Sequence, residues 1–407
     1  MLKILQINKY HYIRGGSDSV YFNTANLLRE YGHQVIHFAM DFSENELCSE
    51  SNFFASNNDF TKQSLIQKMS NIPSFFYNRD AAERLKELIE IERPDIAHLH
   101  IFYGSLTSSI LKVLKEYKVP IVVSVHDYKF VCSAYLFLNN KNEVCEKCEG
   151  KKHYQGIVNK CVKGSRLFST VFALEAYYRD TFYPIHKMFD RLIFVSKFSA
   201  TIHNKYNREL QHITSHLYNF DPLLNSKIAN NKKGDYFLYA GRLSKEKGLK
   251  TLIQAFAKLP NIQLKIAGTG EEMESLILEA TNNVEFLGFL KGEELQNVIL
   301  NASFVVTPSE WYENNPMAVI EALTLGKPVI GANIGGIPEI VIENTSGFLF
   351  SHGSEEELKL SILKANQLSD EDYLTLSVAS RKFAEEHFSP GKHYEGLIKI
   401  YTDLLEK

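Results

Sequence analysis

Two carboxylates with seven residues between them, Glu313 and Glu321, lie in TPSEWYENNPMAVIEALTLGKP, Thr307 to Pro328 of this 407-residue chain. A buried-type strand ends at Ser309, and the polar loop after it carries Glu310 and Glu313. Asn315 is a good N-cap, Pro316 suits the first helical position, and Gly326 then Pro328 stop the helix. The start of such a helix offers free N–H groups and the positive end of its dipole, which suits an anion such as a diphosphate. From Pro316 to Leu325 the one charged residue is Glu321, so this helix should be buried over most of its surface. An unanswered carboxylate there costs on the order of several kcal/mol. Either a Lys or Arg on a neighbouring element meets it, or two adjacent hydroxyls do, as on a ribose.

Two cations, Arg242 and Lys247, occupy the turn of YAGRLSKEKGLKTLIQAF. Flanking a glycine-bearing strand–helix turn, they can clamp phosphate oxygens and stabilise a leaving diphosphate. With Lys245, Glu246 and Lys250 beside them, the segment reads equally as a solvated basic loop. GTGEEM, from Gly268 to Met273, is a further glycine turn at a strand end, short of the full dinucleotide fingerprint. In the first half, RGGSDS places Gly15 and Gly16 before a helix, where bare backbone can approach a phosphate or an acceptor hydroxyl, or simply turn. His126 and Asp127 end the run IVVSV. Among 14 histidines, one at a strand end is structural as readily as catalytic.

Alternating strands and helices must position these residues. Leu2 to Ile7, His33 to Met40, Asp95 to Ile101, Ile121 to His126 and Arg191 to Ser196 read as buried strands, with a helix from Val20 to Tyr31 stopped at Gly32. The second half repeats the scheme at Tyr236 to Gly241, Gln263 to Gly268, Val284 to Phe289, Ser303 to Ser309 and Pro328 to Asn333. Helices Leu249 to Leu259, Met273 to Thr281, Glu293 to Asn301 and Pro316 to Leu325 lie between them. The pattern predicts an α/β protein of two doubly wound domains, with ligands beyond the carboxyl ends of the strands. The expected boundaries are residues 1–200, a linker at 201–222, a second domain at 223–388 and a C-terminal helix at 389–407.

Lys+Arg 45 against Asp+Glu 48 excludes a strongly basic nucleic-acid binder. No apolar run approaches the roughly 18 residues of a membrane span, and the start of the chain looks like a strand rather than a signal peptide. A cytoplasmic protein is expected. Of five cysteines, Cys132, Cys145, Cys148 and Cys161 are clustered as C-x12-C-x2-C-x12-C in an insert at about 128–166, while Cys48 stands apart. Four thiolates around a central C-x2-C suit a structural zinc, with four unrelated thiols as the alternative and a disulfide disfavoured in a reducing compartment. From Lys141 to Arg166 the insert holds seven Lys/Arg against three Glu, and an aromatic-rich helical segment follows. That face either meets an anionic membrane carrying a lipid-linked acceptor or is a solvated loop on a core helix.

Together the Glu313–Glu321 spacing, GRLSKEKG, GGIPEIV (Gly335 to Val341) and Gly347 resemble the retaining glycosyltransferases of family 4, the group 1 glycosyltransferases, which have the GT-B fold of two Rossmann-like domains facing across a cleft. The resemblance is strongest over Tyr236 to Phe350 and weaker over Met1 to Ser199. It implies that Glu321 holds the ribose hydroxyls and that Arg242 and Lys247 neutralise the diphosphate. Glu313 and the backbone of Asn314, Asn315, Pro316 and Met317 would hold the donor sugar, with Gly268 in the same donor-binding set. His126 would lie near the sugar from the opposite domain, and Gly15 and Gly16 would line the donor phosphates and the acceptor. His126, Glu313, Arg242 and Lys247 are the implied catalytic group. Where the family often has a glutamate shortly after the glycine pair, this chain has Asp18. The implied reaction is transfer with retention from a nucleotide sugar, UDP-linked by default, to a saccharide or lipid-linked acceptor in surface polysaccharide or glycolipid synthesis. It proceeds by front-face attack and needs no catalytic metal. An epimerase on the same scaffold and a non-catalytic sugar-nucleotide-binding subunit are the alternatives.

Overall fold

A computed structural model describes residues 1–57, 72–225 and 229–406, so residues 226–228 after the domain junction and Lys407 lie outside the described residues. The β-branched runs pair as two six-stranded sheets, all parallel. The first contains β1 (Lys3–Ile7), β2 (Gln34–Phe38), β3 (Ile96–Leu99), β4 (Ile121–Val125), β5 (Arg191–Phe194) and β6 (Thr214–His216), in spatial order β2-β1-β3-β4-β5-β6. The second contains β7 (Tyr236–Ala240), β8 (Gln263–Ala267), β9 (Val284–Gly288), β10 (Phe304–Thr307), β11 (Val329–Ala332) and β12 (Gly347–Phe350), in order β12-β11-β10-β7-β8-β9. Parallel sheets carry helices on both faces, and IVVSV of β4 is accordingly buried at every position.

The strand order reverses beside β1 in the first sheet and beside β7 in the second. Connections leave those strands in opposite directions and open a crevice beyond their carboxyl ends. The loop after β1 carries Gly15, the loop after β7 carries Arg242 and Lys247, and the loop after β10 carries Glu310 to Pro316.

Two strands have no signal in the sequence pattern. β6 is a three-residue, partly exposed edge strand of sequence TSH, and β12 is GFLF without a β-branched residue. β6 also corrects the linker. Residues 201–216 complete the first domain, because the helix Lys197–Tyr206 runs into that segment and Thr214 pairs with Leu192 of β5. The C-terminal helix Pro390–Leu405 returns to the first sheet. Ser389 caps it by accepting from Lys392 N at 3.3 Å, Leu397 and Tyr401 are buried against Ile4, Ile96 and Val122, and His33 Nε2 meets Tyr394 OH at 2.9 Å.

Candidate active site

The turn after β7 closes at Gly248, which has φ 69°; a Cβ there would stand 2.0 Å from the Pro308 carbonyl oxygen. Only glycine lets this backbone lie directly on the loop after β10. The contact brings Lys247 Nζ to 2.6 Å from Glu313 Oε1, which Ser309 Oγ also meets at 2.7 Å. Glu313 is 5% exposed. Burial pushes its carboxyl up, but the Lys247 ammonium and the Ser309 hydroxyl outweigh that and hold it below the usual carboxylate range. Lys247 also sits over the Trp311 ring, 5.3 Å from its centroid. Arg242 lies at the exposed rim, with Nη2 2.8 Å from Glu246 Oε1 and Nε 3.2 Å from Ser244 Oγ. Gly268, at the end of β8, donates to Gly288 O at 2.7 Å, next to Gly241 on the same rim.

Beneath Glu313 passes the GGIPEIV segment. Gly336 N donates to Glu313 O at 2.7 Å, and a Cβ on Gly336 would lie 1.9 Å from the Asn314 carbonyl oxygen. The helix that follows the loop after β10 spans Met317–Thr324, with Pro316 at its cap position. Asn315 therefore does not cap it. Its Oδ1 accepts instead from Asn219 N at 2.8 Å, tying the loop to the crossing between domains. Glu321 is half-buried, whereas Val319, Ile320, Ala322 and Leu323 around it are fully buried. Its edge of the helix is the one left open.

The first domain supplies the facing wall. Asn314 Nδ2 donates to the His126 carbonyl at 2.6 Å across the cleft. A Cβ on Gly16 would touch Met317 Cγ at 3.5 Å, so the exposed Gly15–Gly16 backbone stands against the start of the second-domain helix. Asp18 turns inward instead. It is 4% exposed and accepts from Asn8 Nδ2 at 2.9 Å and Arg14 N at 3.2 Å, bracing the glycine loop. Burial pushes His126 down to about 4, so its ring is neutral, and pushes the Asp127 carboxyl up to about 6.

Two residues outside the predicted catalytic and binding set also bridge the domains. Glu339 of GGIPEIV accepts from Lys197 N at 2.8 Å, from Phe198 N and from Tyr218 OH at 3.1 Å, so a second-domain carboxylate caps a first-domain helix. Tyr312 OH reaches Glu146 Oε1 of the cysteine insert at 2.7 Å. The carboxylate of GGIPEIV was a visible signal for Glu339; Tyr312 stood in the polar loop with Glu310 and Glu313, but nothing in the sequence pointed to its partner Glu146.

Residues 222–382 match the family model described as glycosyl transferases group 1, and residues 14–214 match glycosyltransferase family 4. The chain belongs to the group 1 glycosyltransferases. It is 30% identical over 221 residues to an uncharacterized glycosyltransferase of Methanocaldococcus jannaschii, covering 53% of this chain and 60% of that protein. It is 35% identical over 126 residues to the sulfoquinovosyl transferase SQD2 of Arabidopsis thaliana, covering 30% of this chain and 24% of that protein. The aligned segments thus span less than two thirds of either relative. Among solved structures, Anabaena Alr3699/HepE in complex with UDP and glucose matches with a TM-score of 0.69 at 16% identity, over 99% of this chain and 100% of that one. The shared feature is the GT-B fold.

In this group 1 glycosyltransferase the cysteine insert is irregular, with Tyr135, Phe137, Asn142, Lys151, Lys160 and Lys163 all at positive φ. Cys132, Cys145, Cys148 and Cys161 are free thiols, and among the described residues no group of three or more His, Cys, Asp or Glu is placed to hold a metal ion. Burial, reinforced by the neighbouring thiols, pushes Cys148 and Cys161 up to about 12. The C-x2-C turn presents Glu146, which binds Tyr312 and pairs with Lys205 at 2.9 Å. The helix Arg166–Phe182 is a core helix on one face, where Glu175 meets Lys129 Nζ at 2.7 Å and Arg179 at 3.2 Å. Its other face exposes Leu167, Leu174 and Phe182. No helix of the described residues is long and apolar enough to cross a membrane.

Proposed function

We propose that the protein transfers a sugar from a nucleoside-diphosphate sugar, UDP-linked by default, to a saccharide or lipid-linked saccharide acceptor with retention of configuration. One observation carries this reading: the loops at both strand-order reversals meet, with Lys247, Glu313 and the helix start at Met317 on one side and Gly16 and His126 on the other. Alr3699/HepE, of the same fold, holds UDP and glucose, which supports a donor of this class.

The diphosphate exchanges with carboxylates already in place. Lys247 turns from Glu313 and Arg242 from Glu246 to the phosphate oxygens, and the N–H groups at Met317 and Ala318 add the positive end of the helix. Glu313 then accepts hydrogen bonds from the sugar, and Glu321 from the ribose. These cations stabilise charge on the departing diphosphate, while the Gly15–Gly16 loop holds the acceptor hydroxyl on the face that the leaving group vacates. Charge stabilisation thus comes from side chains and a helix dipole, the part a metal plays in other transferases. On the acceptor side, the stripe of Leu167, Leu174 and Phe182 lies on a helix that follows Lys151, Lys152, Lys160 and Lys163 in the chain. That combination supports contact with an anionic membrane surface bearing a lipid-linked acceptor.

Thermal unfolding with UDP, GDP, ADP, CDP and TDP tests the donor. A ligand at a hundredfold excess over its Kd adds about 2.7 kcal/mol of stability. One nucleotide should raise the melting temperature of the wild type and fail to do so for Glu321→Ala. No rise with any of the five, together with no nucleotide release from their sugars in the presence of saccharide acceptors, would overturn the reading. Flotation with anionic liposomes, lost on changing the four lysines to glutamine, tests the membrane contact; wild type that stays at the bottom of the gradient refutes it.

A further inference from the structure

Behind His126 runs a file of hydrogen-bonded side chains that none of the motifs above includes. Gln6 on β1, His98 on β3, His100 just beyond β3, Ser124 on β4 and His126 just beyond β4 occupy alternate positions of three adjacent strands, so all five share one face of the sheet. His126 Nε2 lies 2.9 Å from His100 Nδ1, and His100 Nε2 lies 2.9 Å from Gln6 Oε1. Gln6 Nε2 faces His98 Nδ1 at 3.4 Å; Tyr401 OH meets that same nitrogen at 2.6 Å, and His98 Nε2 reaches Ser124 Oγ at 2.8 Å. Gln6, His98 and His100 are no more than 1% exposed, so their polar atoms must be matched from within.

With the Gln6 amide as placed, Oε1 toward His100, the protons in this file have one consistent arrangement. Burial pushes His98 down to about 3 and His100 well below its ordinary value, so each neutral ring carries a single N–H. An amide oxygen only accepts, which places the His100 proton on Nε2. His100 Nδ1 is then bare and takes the Nε2–H of His126. The remaining ring nitrogen of His126, Nδ1, is left as a lone pair. No hydrogen bond to it is found among the described residues, and His126 is half-buried beside the contact that its carbonyl makes with Asn314 across the cleft. A flipped Gln6 amide would reverse each bond and make that nitrogen a donor. The amide as placed, with Nε2 toward His98 Nδ1, is matched by a Tyr401 hydroxyl that donates to that same bare nitrogen; the tautomer of His126 reads out which amide orientation holds in solution.

We infer that Gln6 is a positioning residue for sugar transfer: through His100 it fixes His126 as the Nε2–H tautomer, so the ring accepts a hydrogen bond from a donor-sugar hydroxyl. The inference rests on the transferase reading for its consequence in catalysis, but the tautomer itself does not. Long-range 1H–15N NMR of 15N-histidine-labelled protein, assigned with His126→Gln, reads the tautomer directly. The wild type should show a protonated Nε2 and a bare Nδ1 at His126. Gln6→Met removes the acceptor at nearly constant volume and should give mixed tautomers at His126. It should also lower kcat about tenfold, with the donor KM within about twofold. Gln6→Glu, whose carboxyl offers an acceptor oxygen at the same reach, should restore both. A protonated Nδ1 in the wild type, an unchanged tautomer in Gln6→Met, or a folded Gln6→Glu no better than Gln6→Met would each overturn the inference. A wild type inert toward every nucleotide sugar would refute the transferase reading instead and leave the NMR result to decide the tautomer.

Discussion

Replacing Lys247 with methionine keeps the length of the side chain and removes its charge. Glu313, 5% exposed, is then an ion facing only neutral donors such as Ser309 Oγ. Breaking a fully buried pair from one side costs roughly 3–5 kcal/mol. The Lys247 side chain is 20% exposed, so water already takes part in this pair and about 2–3 kcal/mol is expected at pH 7.5. The pH dependence separates this cause from a packing defect. In the wild type the Glu313 carboxyl is held below its ordinary 4.5; the stability it contributes is present above that value and lost as pH falls through the folded value. In Lys247→Met, burial acts unopposed and raises the carboxyl, so its ionised form costs stability at neutral pH and the cost fades as it protonates. The gap between the two proteins should therefore close toward pH 4. Glu313→Gln in the Lys247→Met background should recover most of the loss at pH 7.5. Trp311, the chain's single tryptophan, lies 5.3 Å from Lys247 and reports urea unfolding of this domain by fluorescence. A loss below roughly 0.5 kcal/mol, the scale of an exposed ion pair, or an equal loss at pH 4.5 and 7.5, would refute the reasoning.

Asp127 gives the opposite sign. Its carboxyl is raised from 3.8 to about 6 by burial, so native stability is lost as pH rises through that interval. Asp127→Asn should exceed the wild type by roughly 1–3 kcal/mol at pH 8 and match it below pH 4, as read by urea titration at both pH values. Gly336→Ala places a methyl 1.9 Å from the Asn314 carbonyl oxygen; displacement of the Glu313 loop should weaken nucleotide binding at least about tenfold by calorimetry, a step of about 1.4 kcal/mol. Tyr312→Phe deletes the 2.7 Å bond to Glu146, with an expected loss of about 1–2 kcal/mol that disappears in a Glu146→Ala background.

The fold and the loop after β10 were legible in the sequence because local chemistry decides them. IVVSV can satisfy its backbone and bury every side chain only inside a parallel sheet, and the Pro316 and Gly326 bounds of the donor helix follow from what those residues do to φ. What the sequence concealed depends on long-range contact. TSH of β6 becomes a strand because β5 offers it an edge. Asn315 has the chemistry of a cap, yet Asn219, almost a hundred positions away in the chain, takes its oxygen. Lys247 and Glu313 each stood out in the sequence separately; their pairing at 2.6 Å required the backbone contact at Gly248. The spacing of the four cysteines suits a metal, but it does not show that the turn between Cys145 and Cys148 presents a carboxylate to Tyr312. Gln6, His98 and His100 could have been found by asking which polar residues recur at every second position on neighbouring strands.

The return of the C-terminal helix to the first sheet sets an order of events during synthesis. Domains generally fold as units, the N-terminal one first, while the ribosome is still adding residues. Here the apolar face formed by Ile4, Ile96 and Val122, which Ala25 and Leu28 cover in part, waits for Leu397 and Tyr401, so its remainder stays uncovered while the whole second domain is made. The first domain is begun first and completed last. A ribosome stalled anywhere within the second domain therefore displays an adhesive patch on the first, together with a His98 that has not yet met its tyrosine.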